Sequence, residues 1–485
     1  MKKIKFVDTF LYRWRYQISY LAISIVLVLG LALAGLYSPG GLTDSEQQAA
    51  ITSSQINFND VSTLATIDLP YHLLQLAGFT ALGITQISIK LPSLLLALGS
   101  AIGMLFLLRR WFNPNVSVLA AILVITTGQF LLIAQSGTPT IMLIFWPIIT
   151  LLLATLIAQK HKHRSLLQIL LVFCVGLSLY TPLMVYIVIA MAITCLLHPR
   201  LRYQIRHAIN VSWVAPVILG LVLIAPIGIG AYQDNQFGLS LLGIPAQTPD
   251  IYENLSLLAH RYFDVISPSS GLLITPVYGL GALALMALGA ARLFRSGYTI
   301  RSYTIVAWCL LLLPFIVLQP DYSVITFVPL MLVLAIGIDS LIRQWYNLFP
   351  HNPYARIAGL IPLVVLISTL TITGVERYFY GYHYDPNTAK AFSNDLRLLH
   401  RTVDQNDSKF IVITGTEAEK EFYTAVFDNK LNDSPVDIAD AGTNQNGTYI
   451  YTRSARDLAP ADKTPDKIIV NSRSSDSDRL YIYKD

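Results

Sequence analysis

Apolar runs of about twenty residues recur along this 485-residue chain, and no other feature of the sequence narrows its fold as much. A helix rising 1.5 Å per residue needs about 20 residues to cross a hydrocarbon layer about 30 Å thick. Eleven stretches meet or approach that length: residues 17–37, 89–108, 115–134, 140–158, 166–180, 182–198, 211–231, 270–292, 303–318, 322–342 and 356–375. The two shortest meet at Tyr180, Thr181 and Pro182. With 54% hydrophobic and only 13% charged residues, a soluble domain would lack the polar surface to cover itself. The expected fold class is a polytopic α-helical membrane protein of about eleven transmembrane helices.

Lys and Arg are retained on the cytoplasmic side of a membrane, so they orient the spans. Lys2, Lys3, Lys5, Arg13 and Arg15 precede the first span. Alternating spans then gather Arg109, Arg110, Lys160, Lys162, Arg164, Arg200, Arg202, Arg206, Arg292, Arg295, Arg301, Arg343 and Arg356 into the same set of loops. The opposite loops between spans hold only Lys90 and Arg261. The expected arrangement is a multi-pass protein of the plasma membrane with a cytoplasmic N-terminus. The loop "GGLTDSEQQAAITSSQINF", which has no cation, then lies outside. A competing reading takes residues 1–34 as a cleaved signal peptide ending near "ALAG", and it leaves that loop external too. Cys174, Cys195 and Cys309 all fall within spans and read as small core residues, not a disulfide framework. The net charge of +5 arises in the inner loops and points to a lipid bilayer with anionic headgroups, and to no nucleic acid.

Two regions are expected: a membrane block over residues 1–375 with long external loops at 38–88 and 232–269, and an extracytoplasmic region over 376–485. Loops this long are more than connectors, and long ordered loops tend to carry function. "TDSE" has the spacing of a capping box between Thr43 and Glu46. "LPYHLLQLAGFTALG" predicts a helix too short to cross the bilayer, lying at its surface with Tyr71 and His72 at headgroup level. In the tail, "AFSNDLRLLHRTV" and "EAEKEFYTAVF" predict helices, while "KFIVITG", "GTYIYTRS", "DKIIVNS" and "RLYIYKD" predict strands. Together they make a small α/β domain.

Span interiors contain almost no ionisable side chains. Asp339 is the exception, four residues before Arg343, and it reads as half of a helical ion pair. A pump or ion-coupled carrier needs such groups at mid-membrane, so transport is disfavoured and the chemistry moves to the external loops. Those loops hold Asp44, Glu46, Asp68, His72, His260, Arg261 and Asp264, with Lys90 at a span end. A carboxylate within about 3 Å of a hydroxyl can act as its general base. A departing phosphate needs only cations or donors to hold its charge. No metal-ligand spacing appears, and no cofactor is implied; a divalent metal requirement stays open.

The order of several degenerate motifs resembles the GT-C superfamily of integral membrane glycosyltransferases, of the protein mannosyltransferase and lipid A aminoarabinose transferase type. "DSEQQAAITSSQ" is similar to that family's "DE…Y…IA" loop, and "DLPYHLLQLAGFTALGITQISIKLPSLLLALGSAIGMLFLLRRWF" to its "PPLYY…FG…RLPS" region. "VGLSLYTPLMVY" and "LQPDYSVITFVPLMLVLAIGID" look like its mid-chain and late spans. The resemblance implies a hexosyl or pentosyl transferase that moves a sugar from a polyprenyl-phosphate donor to an extracytoplasmic protein, lipid or glycan acceptor, with inversion. It places the catalytic aspartate on Asp44 and the "RLPS" cation on Lys90. Substrate contacts are expected from Glu46, Asp68, His72, Lys90, His260 and Arg261. There are departures: Ser45 follows Asp44 where an acid is usual, Ile67 and Asp68 stand where a Lys or aromatic is common, and "QSGTPT" replaces a charged pair after the third span. Bland readings stand beside these. Asp44 gains from a helix N-terminus, Glu46 from the capping box, Asp68 from starting a helix, and Lys90 from snorkelling. The alternative function is a catalytically degenerate member that binds a lipid-linked glycan or an assembly partner.

Overall fold

The computed structural model describes residues 41–159, 164–206, 214–264, 269–270, 273–295, 298–349, 351, 353–404, 410–427, 436–440, 447–459, 464–470 and 479–484, with Trp14, Leu21 and Ile25. The expected first span, 17–37, therefore lies outside the described residues apart from Leu21 and Ile25.

The first loop forms helices α1 (Asp44–Ser54) and α2 (Leu69–Leu82). A bundle follows: α3 (Gln86–Trp111), α4 (Pro114–Thr126), α5 (Gly128–Gln135), α6 (Met142–Ala158), α7 (Arg164–Ser178), α8 (Met184–Leu197), the short α9 (Pro199–Arg206), and α10 (Val214–Gln233). The second loop contributes α11 (Asn235–Leu241) and α12 (Ile251–Phe263), and the bundle resumes with α13 (Leu280–Arg295), α14 (Ile300–Leu318), α15 (Phe327–Leu348) and α16 (Pro353–Glu376). Among the described residues six helices are long and apolar enough to cross a membrane, or seven if the bent pair α4 and α5 is one span.

Three expected spans are revised. Residues 115–134 break at Thr127, whose extended backbone separates α4 from α5 at an angle of 57°. Residues 270–292 are helical only from Leu280, since Leu273–Ile274 pairs as a short strand with Ser269–Ser270. Residues 322–342 begin in a 3-10 turn, Pro320–Thr326, before α15 starts. The turn at Tyr180–Pro182 forms as expected, with Leu183 in the left-handed region at φ 65°. Asp339 and Arg343 form their ion pair at 2.9 Å.

Small residues fix the tightest helix crossing. A Cβ on Gly289 of α13 would lie 2.0 Å from the Val333 carbonyl of α15, and one on Gly337 would lie 2.0 Å from the Leu285 carbonyl. The two backbones touch through these glycines, the packing that membrane helices use where apolar burial alone gives no drive.

The tail is a small α/β unit: α17 (Asp395–Asp404), β1 (Phe410–Thr414), α18 (Glu417–Phe427), β2 (Val436–Asp440), β3 (Thr448–Tyr451), β4 (Lys467–Val470) and β5 (Arg479–Lys484). Its sheet runs β2-β1-β3-β5-β4, with β1 parallel to both neighbours and β5 antiparallel to β3 and β4. Strand β2, "VDIAD", escaped the sequence reading because two of its five residues are Asp. The tail and the first loop share one core. Leu42, Ala50, Ile51 and Ile89 pack with Leu399, Phe422, Tyr423 and Val426, and Leu42 and Ser393 exchange two backbone hydrogen bonds of 2.8 Å. Loop and tail thus lie at the same end of the bundle.

Candidate functional site

Thr43 ends the extended approach to α1, and the capping box closes as its spacing predicts: Glu46 Oε2 accepts from the Thr43 N–H at 2.7 Å, while Thr43 Oγ1 accepts from the Glu46 N–H at 3.3 Å. The same carboxylate does more than cap. Its Oε1 accepts the Gly137 N–H at 2.5 Å and lies 3.5 Å from Lys90 Nζ. Lys90 Nζ also donates to the Gly41 carbonyl at 2.6 Å and stands 5.4 Å from the centre of the Phe392 ring. Glu46 is fully buried and Lys90 nearly so. One buried ion pair therefore ties the first loop to α3, to the loop after α5, and to the tail.

Glu46 and Lys90 are both expected to contact substrate, and in this structure they contact each other. Lys90 neither snorkels to a headgroup nor stands open to a ligand, because a buried ammonium needs a partner and Glu46 supplies it. Glu46 is the capping-box acid and the centre of the latch. "QSGTPT" carries the latch's third side. A Cβ on Gly137 would meet Ile89 Cγ2 at 2.7 Å and the Ile89 carbonyl at 3.2 Å, so no larger residue fits without displacing α3. Gly137→Ala is expected to lower stability by about 1–3 kcal/mol through overpacking. Thermal unfolding at the wild-type temperature would contradict this.

A second polar cluster lies beside the first. Ser53 Oγ is 2.7 Å from His72 Nδ1 and donates to Gln75 Oε1 at 2.6 Å, and Gln75 Nε2 donates to the Ile89 carbonyl at 2.9 Å. Tyr71 is fully buried, its hydroxyl 2.9 Å from Ser93 Oγ, and His72 is buried as well. Both side chains face protein, because α1 and α3 enclose that face of α2. Burial pushes the His72 imidazole down to about 4, leaving it neutral at ordinary pH and a brace between α1 and α2.

Asp68 starts α2 without capping it. Its backbone is left-handed at φ 56°, no cap hydrogen bond forms, and its N–H donates to the Tyr180 carbonyl at 2.9 Å. The carboxyl is buried close to the Thr181 hydroxyl, and neither its Oδ1 nor Thr181 Oγ1 has a hydrogen-bond partner among the described residues. Desolvation raises it to about 7, and the neighbouring Thr181 hydroxyl opposes that rise only in part. A carboxyl that keeps its proton to about pH 7 when folded, but releases it near pH 3.8 when unfolded, contributes stability below the lower value. That contribution is lost as pH rises through about 7. Asp68→Asn should flatten the fall in melting temperature between pH 4 and 8, and an unchanged pH profile would contradict this.

Arg261 and His260 sit at the end of α12. Arg261 Nη1 donates to the Pro320 carbonyl and to Ser323 Oγ, both at 2.6 Å, and its buried Nε has no partner among the described residues. His260 Nδ1 is 3.1 Å from Asp264 Oδ2 in an exposed pair. Next to Arg261, Tyr262 lines an apolar cavity of about 760 Å³ between α12, α13, α14 and α15, walled by residues such as Leu258, Met286, Leu312 and Val333. Asp44 itself is exposed at the first position of α1, two residues before the buried Glu46. Sequence reasoning missed Gly137, Ser53 and Gln75. Among the described residues no group of three or more His, Cys, Asp or Glu gathers as a metal site.

This arrangement, a helical bundle whose first loop is latched to a small α/β tail, carries the GT-C fold of integral membrane glycosyltransferases. Residues 68–229, about a third of the chain, match the family described as dolichyl-phosphate-mannose-protein mannosyltransferase. The structure is similar to ArnT from Cupriavidus metallidurans bound to undecaprenyl phosphate, with a TM-score of 0.55, 11% identity, and coverage of 97% of this chain and 98% of that one. The apo form of ArnT gives a TM-score of 0.53 at 12% identity, covering 96% and 98%. The apo oligosaccharyltransferase of Archaeoglobus fulgidus gives 0.50 at 12% identity, covering 86% of this chain and 64% of that one. No curated protein matches the chain in sequence.

Proposed function

We propose that this protein transfers a sugar from a polyprenyl-phosphate donor to an extracytoplasmic acceptor, with inversion at the anomeric carbon and Asp44 as general base. The observation that carries this is the contrast within α1: Glu46 is locked in the latch while Asp44, half a turn away, stays exposed on a rigid helix. A base must be held in place yet reachable, and this geometry meets both demands. Its position at the start of a helix favours the ionised carboxylate that the role needs.

The apolar cavity beside Tyr262 suits a polyprenyl tail, and the nearby Arg261, with an unpartnered Nε, would offset the departing phosphate. The undecaprenyl phosphate held by ArnT supports this choice of donor. Lys90, Glu46 and His72 then act by positioning the loop. Asp68 and His260 remain candidate substrate contacts. The distribution of Lys and Arg supports a loop, with the domain spanning 376–485, on the outer face of the plasma membrane.

The test is purified protein in proteoliposomes with radiolabelled polyprenyl-phosphate sugars and a panel of protein, lipid and glycan acceptors. The expected result is turnover giving a product of inverted anomeric configuration. The engagement of Lys90 by Glu46 favours the second reading, a degenerate binder. Saturable donor binding with no turnover across the panel would select it.

A further inference from the structure

A second cavity opens at the far end of the bundle. Twenty residues of α3 separate Lys90 from Arg110, about 30 Å along the helix, which is the thickness of a hydrocarbon layer. At that end a cavity of about 470 Å³ is lined by Arg110, Trp111, Gln159, His198, Arg200 and Arg301, among others, and among the described residues no Asp or Glu lines it. Its walls come from the ends of α3, α6 and α8, from α9 and from the start of α14, so it lies at the end of the bundle opposite Lys90.

Arg301 and Arg110 are held in place. Arg301 Nη1 donates to the Trp111 carbonyl at 2.7 Å, with its guanidinium carbon 4.9 Å from the centre of the Phe112 ring. Arg110 Nη1 donates to Gln159 Oε1 at a long 3.4 Å. The nearby acid Asp339 is already paired with Arg343. His198 Nδ1 is buried and has no partner among the described residues. Among the described residues, three guanidinium groups around a cavity lined by no carboxylate leave a net positive charge there, and a buried ring nitrogen has no hydrogen-bond partner. An anion with several acceptor oxygens satisfies both.

The geometry points to a phosphate-binding site formed by Arg110, His198, Arg200 and Arg301, which takes the phosphate of a lipid headgroup or of a small soluble ester. It lies at the end of the bundle away from the proposed transfer site and does not depend on it.

The full chain, purified in neutral detergent, is equilibrated with phosphatidylglycerol and phosphatidylcholine in equal amounts, and retained lipid is counted by native mass spectrometry with and without millimolar inorganic phosphate. The variant His198→Gln/Arg200→Gln leaves the Arg301 to Trp111 hydrogen bond intact, and its melting temperature verifies the fold. The expected result is selective retention of phosphatidylglycerol, reduced about tenfold in the variant for the loss of a charge-assisted hydrogen bond. Displacement by inorganic phosphate would show that the site also takes a free ester, and absence of displacement that it takes only the lipid. Phosphate binding sensitive to the variant, without lipid retention, would assign the soluble source. Equal retention of the two lipids together with no phosphate binding, or binding that the variant leaves unchanged, would overturn the proposal.

Discussion

Glu46→Ala is expected to destabilise the protein by about 3–5 kcal/mol, because it strands the Lys90 ammonium in a buried setting without its counter-charge. The Gly137 and Thr43 N–H groups lose their acceptor in the same change. These losses overlap and do not simply add, since all three groups share one carboxylate. The damage should also spread, because Gly41, on which Lys90 Nζ rests, leads into the Leu42 and Ser393 hydrogen bonds that join loop to tail. Glu46→Gln keeps an acceptor for the backbone N–H groups and should recover part of the stability, whereas Glu46→Ala should not. Thermal unfolding together with protease sensitivity of residues 41–60 measures both. If Glu46→Ala melts with the wild type and its loop stays protected, the latch does not hold the loop.

Local features were legible in the sequence and distant ones were not. The capping box could be read from "TDSE" because its partners are three residues apart and each satisfies the other. The bond from Glu46 to Gly137 joins residues 91 apart, and no periodicity reports it. For the same reason Lys90 looked like a span-end cation: its position on α3 was visible, its counter-charge on another element was not. Apolar length located the described spans, yet it could not register the break at Thr127, where the backbone turns while hydropathy continues. The α/β character of the tail followed from alternating strands, but its bracing role depends on a core shared with loop residues more than three hundred positions earlier. Asp68 shows the limit from the other side. An Asp before a helix reads as a cap, and here the left-handed backbone aims the carboxyl into the interior instead.

Under the proposed function, the loss of Asp44 bears on chemistry, not on the fold. It is exposed, and the capping box runs through Thr43 and Glu46 without it. Asp44→Asn is nearly isosteric and should melt within about 0.5 kcal/mol of the wild type, as surface changes usually do. A general base contributes about 10²–10⁴-fold to a rate, so if Asp44 has the proposed role that is the expected loss of transfer. Asp44→Glu, which keeps the charge but moves it by one methylene, should fall between. The decisive measurement is kcat/KM for sugar transfer in proteoliposomes for the wild type and a folded Asp44→Asn variant, side by side with the same polyprenyl-phosphate donor. A drop of at least about a hundredfold with unchanged donor binding is predicted. Equal rates in the two proteins would contradict the assignment of the reaction to the first loop.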